Sequence, residues 1–418
     1  MESDFYSQNR RALLERLPDD AVAVVFAGKA IRKTADEYYP FFPSRNFVYL
    51  TGCGEACAES FIYLAVKRTG SITETLFIQP SGAQAERWTG RRMKTDEARG
   101  VSGIENIKYI ADFDGRFHSC VNGGNAWDIW LDLDKLKSDE PDDTAHSFAN
   151  STRERYPFVN IHNLLPYLRY LRTIKRTCEI NAMRKAIAIT GEGIRDMMQA
   201  SKHGMYEYEY KALFDAALTR NSVLSPGFPP IISAGQNNFC IHYYSYTGQA
   251  NDGDMILNDV GARWDYLGCD ISRGWPCGGR FSERQRLLYT CAYNTSEYMF
   301  SVIKPGMPMA SVDQTARKYC FEQLESIGLL DSYDDIGKYM WHGGAHHVGF
   351  DTHDVVDTSR PIAPGMVFCV DIGIYCEEWG IGFRLEDNCL VTETGCENLS
   401  VGIPRSIDEI EAVMQHDV

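Results

Sequence analysis

Three carboxylates in this chain sit inside runs of apolar, β-forming residues. Asp259 follows Met255-Ile256-Leu257, Asp371 lies within MVFCVDIGIY, and Glu386 lies within IGFRLEDNCLVT. A carboxylate placed mid-strand among apolar neighbours is costly unless it is paired or bound to a cation. Ion pairing of Arg384 with Glu386, or of Arg273 with Asp270, would answer for one such residue. It does not answer for three together with Asp270, which the turn Arg263–Gly268 and a return strand would bring opposite Asp259. A cluster of carboxylates with one or two imidazoles suits hard or borderline divalent cations.

The carboxylates belong to a repeated pattern. Asp259-Val260-Gly261 and Asp371-Ile372-Gly373 each have a His upstream, His242 and His346. Each His has a Gly-Met further upstream at nearly the same offset, Gly204-Met205 and Gly306-Met307. Two copies of helix, Lys-x-Gly-Met turn, helix, His and acidic strand imply two similar half-domains whose strands converge on one site. The string HGGAHHVGFDTH holds four of the chain's ten histidines, and its glycines let backbone approach a ligand closely. The repeat pairs His346 with His242, so His346 is taken as a metal ligand while the equivalent His242 faces substrate. His353 is placed nearby as an electrophile or proton shuttle.

The elements that must hold these residues follow from periodicity. Helices are expected over Glu179–Ala200, where Ile180, Met183, Ile187, Ile194 and Met198 form one stripe, over Tyr206–Arg220, and over Ser282–Ile303, opened by the capping pair Ser282 and Gln285 and ended by Pro305-Gly306. A fourth opens at Ser311 and closes at Gly328. Strands are expected over Met255–Ala262, Met366–Tyr375 and Ile381–Thr392. In the last, Arg384, Glu386 and Asn388 point one way and Phe383, Leu385 and Asp387 the other. The first part of the chain reads as mixed α/β, with short strands at Ala21–Ala27, Phe61–Val66 and Thr75–Ile78. The polar stretch 137–152 reads as a loop or linker.

Composition excludes some classes of function. A net charge of -15 on 418 residues argues against nucleic-acid and anionic-membrane partners, which need basic surface. There is no apolar run long enough to span a bilayer, and MESDFYSQNRR is unlike a signal peptide. The 13 Cys are scattered, with only Cys53 and Cys57 close together. Buried free thiols in a reducing cytoplasm are therefore expected.

The ordered set Asp259, Asp270, His346, Asp371, Glu386, in the strings DVG…CDISR, HGGAHHVGFDTHD, PGMVFCVDIGIY and IGFRLEDNCLVT, resembles the five ligands of the aminopeptidase P, prolidase and methionine aminopeptidase superfamily. PFFPSRNFVYLTG and LFIQPSGAQAERWTG resemble the accessory domain of aminopeptidase P and prolidase, so the resemblance covers essentially the whole chain. It implies an α+β fold: a mixed α/β accessory domain over 1–172 and a pseudo-symmetric pita-bread catalytic domain over 173–418. The aromatics Phe41, Phe42, Phe47 and Tyr49 read as packing of an edge strand.

The resemblance also implies two divalent metal ions per chain, typically manganese, with cobalt or zinc as alternatives. Asp270 and Glu386 would bridge them, Asp259 would complete one shell, and His346 and Asp371 the other. His242 and His353 match substrate-side histidines, and Arg384 a position that orients an acidic ligand. The implied activity is removal of the N-terminal residue from peptides with proline in second place, with a homodimer as the expected assembly. An Xaa-Pro dipeptidase, a creatinase-like hydrolase of a small non-peptide substrate and a non-catalytic binding protein are the alternatives. One position departs from the family pattern, which has Glu where Asp371 stands. Asp is shorter by roughly 1.5 Å of reach, and metal–oxygen distances tolerate about 0.2 Å. The ion shared with His346 is therefore expected to be the more weakly held.

Overall fold

The computed structural model describes residues 1–54, 58–123 and 127–415. Cys57 lies outside them. The chain forms two compact units, Met1–Leu171 and Arg172–Val418.

The first unit is built on a six-stranded sheet. Ala21–Phe26 pairs antiparallel with Ile62–Arg68 and parallel with Asp128–Leu131. Every residue of AVAVVF is buried, which is why the strand reads as a continuous apolar run rather than an alternation. Val22, Val24 and Phe26 pack with Phe113 and Phe117 of the helix Phe113–Gly123. Two expectations fail here. The stretch read as a loop carries the helix Thr144–Arg155, whose first turn is capped by Asp143 accepting from the His146 N–H. Its polarity is that of a mostly solvated helix with Ala145 and Ala149 facing inward. Phe47 and Tyr49 are buried as predicted, but in the helix Arg45–Thr51 rather than an edge strand, with Ser44 as its cap. That cap was the legible signal.

The second unit shows the duplication directly. Helices Thr177–Ala200 and Glu207–Arg220 precede a sheet of Ile231–Ala234, Met255–Val260 and Ile271–Pro276. Helices Glu283–Val302 and Met309–Ser326 precede a sheet of Val367–Cys376, Ile381–Val391 and Cys396–Asn398. The Gly-Met turns match bond for bond. Gly204 and Gly306 both take positive φ, 82° and 90°. The Gly204 N–H donates to Ala250 O and the Ala250 N–H back to Met205 O; the Gly306 N–H donates to Ile362 O and the Ile362 N–H back to Met307 O. The fourth helix opens at Met309, with Pro308 as its extended N-cap residue, ahead of the expected Ser311. No helix among the described residues is long and apolar enough to cross a membrane.

The two sheets are joined where Ile271–Pro276 meets Ile381–Val391. Arg273, fully buried, donates to Asp387 Oδ1 at 2.7 Å and to the Glu386 carbonyl at 2.8 Å. Arg405 donates to Asp387 Oδ2 at 3.0 Å. Arg273 and Arg384 thus pair with Asp387 and Asp259, not with Asp270 and Glu386. Burial alone would raise the Asp387 carboxyl, but the two guanidiniums beside it hold it below the usual carboxylate range. Removing one partner of a buried ion network costs about 3–5 kcal/mol, so Asp387→Ala is expected to lower the urea midpoint strongly. Because the folded pKa is depressed, the contribution is present above the unfolded value of about 3.9 and is lost as pH falls through the folded one. Asp387→Asn should therefore be less stable than wild type at neutral pH and converge with it in acid. A gap that persists unchanged into acid would remove this charge network as its source.

Candidate metal centre

Register brings the carboxylates together. In the hairpin Val367–Cys376/Ile381–Val391, Asp371 lies directly opposite Glu386. In the other half Asp259 lies opposite Ser272, and Asp270 stands one residue ahead of the return strand Ile271–Pro276. The predicted alternation holds along Ile381–Val391. Arg384 and Glu386 line the site, while Asp387 faces Arg273 and Arg405 on the opposite side. Asn388, on the site face, donates from Nδ2 to the Asp270 carbonyl at 2.7 Å, which fixes the bend where the two halves meet.

The histidine string runs beside Val367–Cys376. The Cys369 N–H donates to His346 O at 2.7 Å and the Asp371 N–H to Gly344 O at 3.0 Å, so the backbone of the acidic strand sets the position of the histidines. Both Asp-x-Gly glycines are explained by close approach. A Cβ on Gly261 would lie 1.9 Å from the Cys269 carbonyl oxygen, and one on Gly373 would lie 2.2 Å from His342 Nε2.

All eight residues singled out from the sequence line one cavity of about 210 Å³: His242, Asp259, Asp270, His346, His353, Asp371, Arg384 and Glu386. His346 Nε2 is 3.2 Å from Glu386 Oε1 and 3.6 Å from Asp270 Oδ2. The His346 and His353 rings are 4.2 Å apart. Arg384 donates to Asp259 Oδ2 at 2.9 Å and to the Tyr375 hydroxyl at 2.9 Å.

Three further residues belong here that sequence reasoning did not assign. His342 lines the same cavity, with Nδ1 3.1 Å from Asp371 Oδ2 and Nε2 3.1 Å from the Tyr375 hydroxyl. Its place in the histidine string was a signal, but the repeat matches only one His per half. Ser272 donates to Glu386 Oε2 at 2.8 Å. Cys369 lies two residues before Asp371, on the same strand face. Arg384, Tyr375 and His342 form a polar chain between Asp259 of one half and Asp371 of the other.

The electrostatics fit a cation. Burial and the neighbouring Glu386 and Asp259 push the Asp270 carboxyl well above its ordinary range. Burial raises Asp259 as well, against the pull of Arg384. Burial works against a charged His346, but the Glu386 carboxylate overrides it and lifts the imidazole to about 9. His353 is lowered by burial and by His346. One oxygen each of Asp259, Asp270 and Asp371 is buried without a hydrogen-bond partner, and such orphans are what a bound ion would satisfy. The donor atoms of Asp270, His346, Cys369 and Glu386 all lie within 4.8 Å of one another.

Carboxylates from two matching halves meet imidazoles in one cavity, the kind of site found in a metal-dependent hydrolase. Comparison with known proteins places it further. The family model described as metallopeptidase family M24 matches residues 181–393, and that of the aminopeptidase P N-terminal domain matches residues 6–130. The chain belongs to metallopeptidase family M24, and its second unit is a pita-bread domain. Among solved structures it is similar to a putative aminopeptidase P from Bacillus anthracis, 37% identical, with a TM-score of 0.96 over 99% of this chain and 98% of that one. It is also similar to aminopeptidase P from E. coli with the inhibitor Pro-Leu, 26% identical, with a TM-score of 0.89 over 99% and 98%. The Xaa-Pro aminopeptidase of Escherichia coli strain K12 is 27% identical over 98% of this chain and 97% of its own length.

The two glycines predict different failures. Gly261→Ala meets backbone and should not give folded protein. Gly373→Ala meets side chains rather than backbone, the His342 ring at 2.2 Å and the edge of Tyr375 at 3.0 Å; the His342 ring can swing away, so the variant should fold with the His342–Asp371 contact broken. A loss of activity of roughly 10–100-fold, the scale of losing a partner to a metal ligand, is expected with an unchanged circular-dichroism spectrum. A crystal structure of the variant with His342 still on Asp371 would contradict this.

Proposed function

We propose that this chain is a metal-dependent Xaa-Pro aminopeptidase, releasing the N-terminal residue from peptides whose second residue is proline. One observation carries the reading: the carboxylate and histidine set converges on a single cavity in a chain that aligns end to end with Xaa-Pro aminopeptidases. An Xaa-Pro bond is a tertiary amide with no N–H, so it calls for a dedicated enzyme.

Asp259, Asp270, His346, Asp371 and Glu386 would hold two divalent ions. Bound there, the ions supply Lewis acidity and a water activated near neutral pH. The remaining side chains have distinct tasks. Arg384 holds Asp259 and Ser272 holds Glu386, which fixes the carboxylates against their mutual repulsion. His342 orients Asp371. His353, whose imidazole is lowered by burial and by His346, can accept or donate a hydrogen bond to the substrate, and His242 faces the same cavity. The working ions are taken as manganese on the resemblance of the ligand set, and a cytoplasmic homodimer is the expected setting. The short Asp371 leaves the His346 side short of a hard oxygen donor, so manganese should be held less tightly there.

Asp270→Ala and Glu386→Ala should each remove both ions, as metal analysis of the purified variants would show. Full metal content in either would refute the bridging assignment. His242→Ala and His353→Ala should keep their metal and lose about 10²–10⁴-fold in kcat on an Xaa-Pro tripeptide. Wild-type rates in both would take them out of the mechanism. Turnover of Xaa-Pro dipeptides but not of longer peptides would make the enzyme a dipeptidase instead.

A further inference from the structure

We propose that the Cys369 thiol is a sulfur ligand to the cation on the His346 side, which gives that position a preference for zinc or cobalt over manganese. The inference rests on the reading of this cavity as a metal centre, and adds a donor outside the five-residue set.

Cys369 is fully buried in the strand Val367–Cys376. It shares a face with Asp371 two residues on, and its backbone N–H is bonded to the His346 carbonyl at 2.7 Å. Its sulfur joins donor atoms of Asp270, His346 and Glu386 in a group spanning no more than 4.8 Å. In the tetrahedral shell zinc prefers, a sulfur at about 2.3 Å and an oxygen at about 2.2 Å lie roughly 3.7 Å apart. Binding on a single ion would therefore draw this group together by up to about 1 Å.

Two independent observations point to a ligand among these atoms. Asp270, only 4% exposed, has Oδ1 buried without a hydrogen-bond partner. The Asn388 amide donates to Cys369 Sγ at 3.3 Å, which orients the sulfur. Meanwhile Asp371 Oδ2 is turned to His342 at 3.1 Å on a side chain one carbon shorter than Glu.

Sulfur thus stands where oxygen reach is reduced. Thiolates favour zinc and other soft or borderline ions, while manganese prefers oxygen. On binding, the S–H bond breaks, the metal–sulfur bond forms and the proton leaves to solvent; no oxidant is involved.

The test uses the full chain, stripped of metal with a chelator and reloaded with cobalt(II). Wild type should show a sulfur-to-cobalt charge-transfer band in the near ultraviolet, and Cys369→Ser should bind cobalt without it. The exposed thiols Cys178 and Cys240 are removed together in a second variant, Cys178→Ala/Cys240→Ala, which should keep the band and does not depend on the core substitution folding. Cobalt bound to wild type with no band, a band unchanged in Cys369→Ser, or its loss with the exposed thiols each overturns sulfur ligation while leaving the metal centre standing. No cobalt bound at all overturns both. With equimolar zinc and manganese, the zinc-to-manganese ratio should fall about tenfold or more in Cys369→Ser, the scale of losing one partner at a metal site. An unchanged ratio overturns the claimed preference.

Discussion

Carboxylates brought this close inside an apolar sheet repel one another, and the second unit is organised around containing that repulsion. Asp259, Asp270, Asp371 and Glu386 are each less than 10% exposed. At that burial two like charges a few ångströms apart interact far more strongly than in water. The raised Asp270 carboxyl is the direct sign. Protein groups answer part of the cost: Arg384 takes one oxygen of Asp259, Ser272 one oxygen of Glu386 and His342 one oxygen of Asp371. The oxygens left over are those a cation would take. The apolar strands therefore do more than scaffold the site, because their low polarity makes the leftover negative charge a strong and selective ligand.

Duplication explains how the chain places such groups without a dedicated framework for each. Each half makes the same Gly-Met turn and presents an Asp-x-Gly strand and a histidine loop. The halves are locked to each other by polar bonds rather than by apolar contact alone. Asn238 donates to the carbonyls of Met255 and Gly382, Asn388 to that of Asp270, and Arg273 to that of Glu386. Buried and satisfied, such bonds fix register as well as adding stability. A slip of one residue in either hairpin would turn Asp259, or Asp371 or Glu386, away from the cavity.

What the sequence revealed tracks this logic. Period-two alternation along Ile381–Val391 separated Glu386 from Asp387 correctly, since the two faces meet different surroundings. The repeat found His346, because equivalent positions in two halves can be compared. It could not find His342, which has no counterpart to compare with, nor Ser272, whose role depends on Glu386 arriving from a distant strand. The ion-pair partners of Arg273 and Arg384, Asp387 and Asp259, could not be read from neighbours in sequence, because pairing across the junction of two sheets is set by tertiary register. The helix Thr144–Arg155 was read as a loop because its charged, solvated face hides the short Ala145 and Ala149 contact.

The strand Ile381–Val391 shows how one element can serve stability and chemistry without conflict. On one face Arg384 holds Asp259, and Glu386 turns its carboxylate to Ser272 and His346 in the site. On the other Asp387 is saturated by Arg273 and Arg405, both essentially buried. A network with every partner in place is rigid, and Arg273 holds the Glu386 carbonyl as well as the Asp387 carboxylate. The saturated face therefore restrains the backbone from which the site face projects. Metal sites demand ligand atoms placed to a few tenths of an ångström, and the saturated arginine network directly beneath Glu386 supplies that restraint.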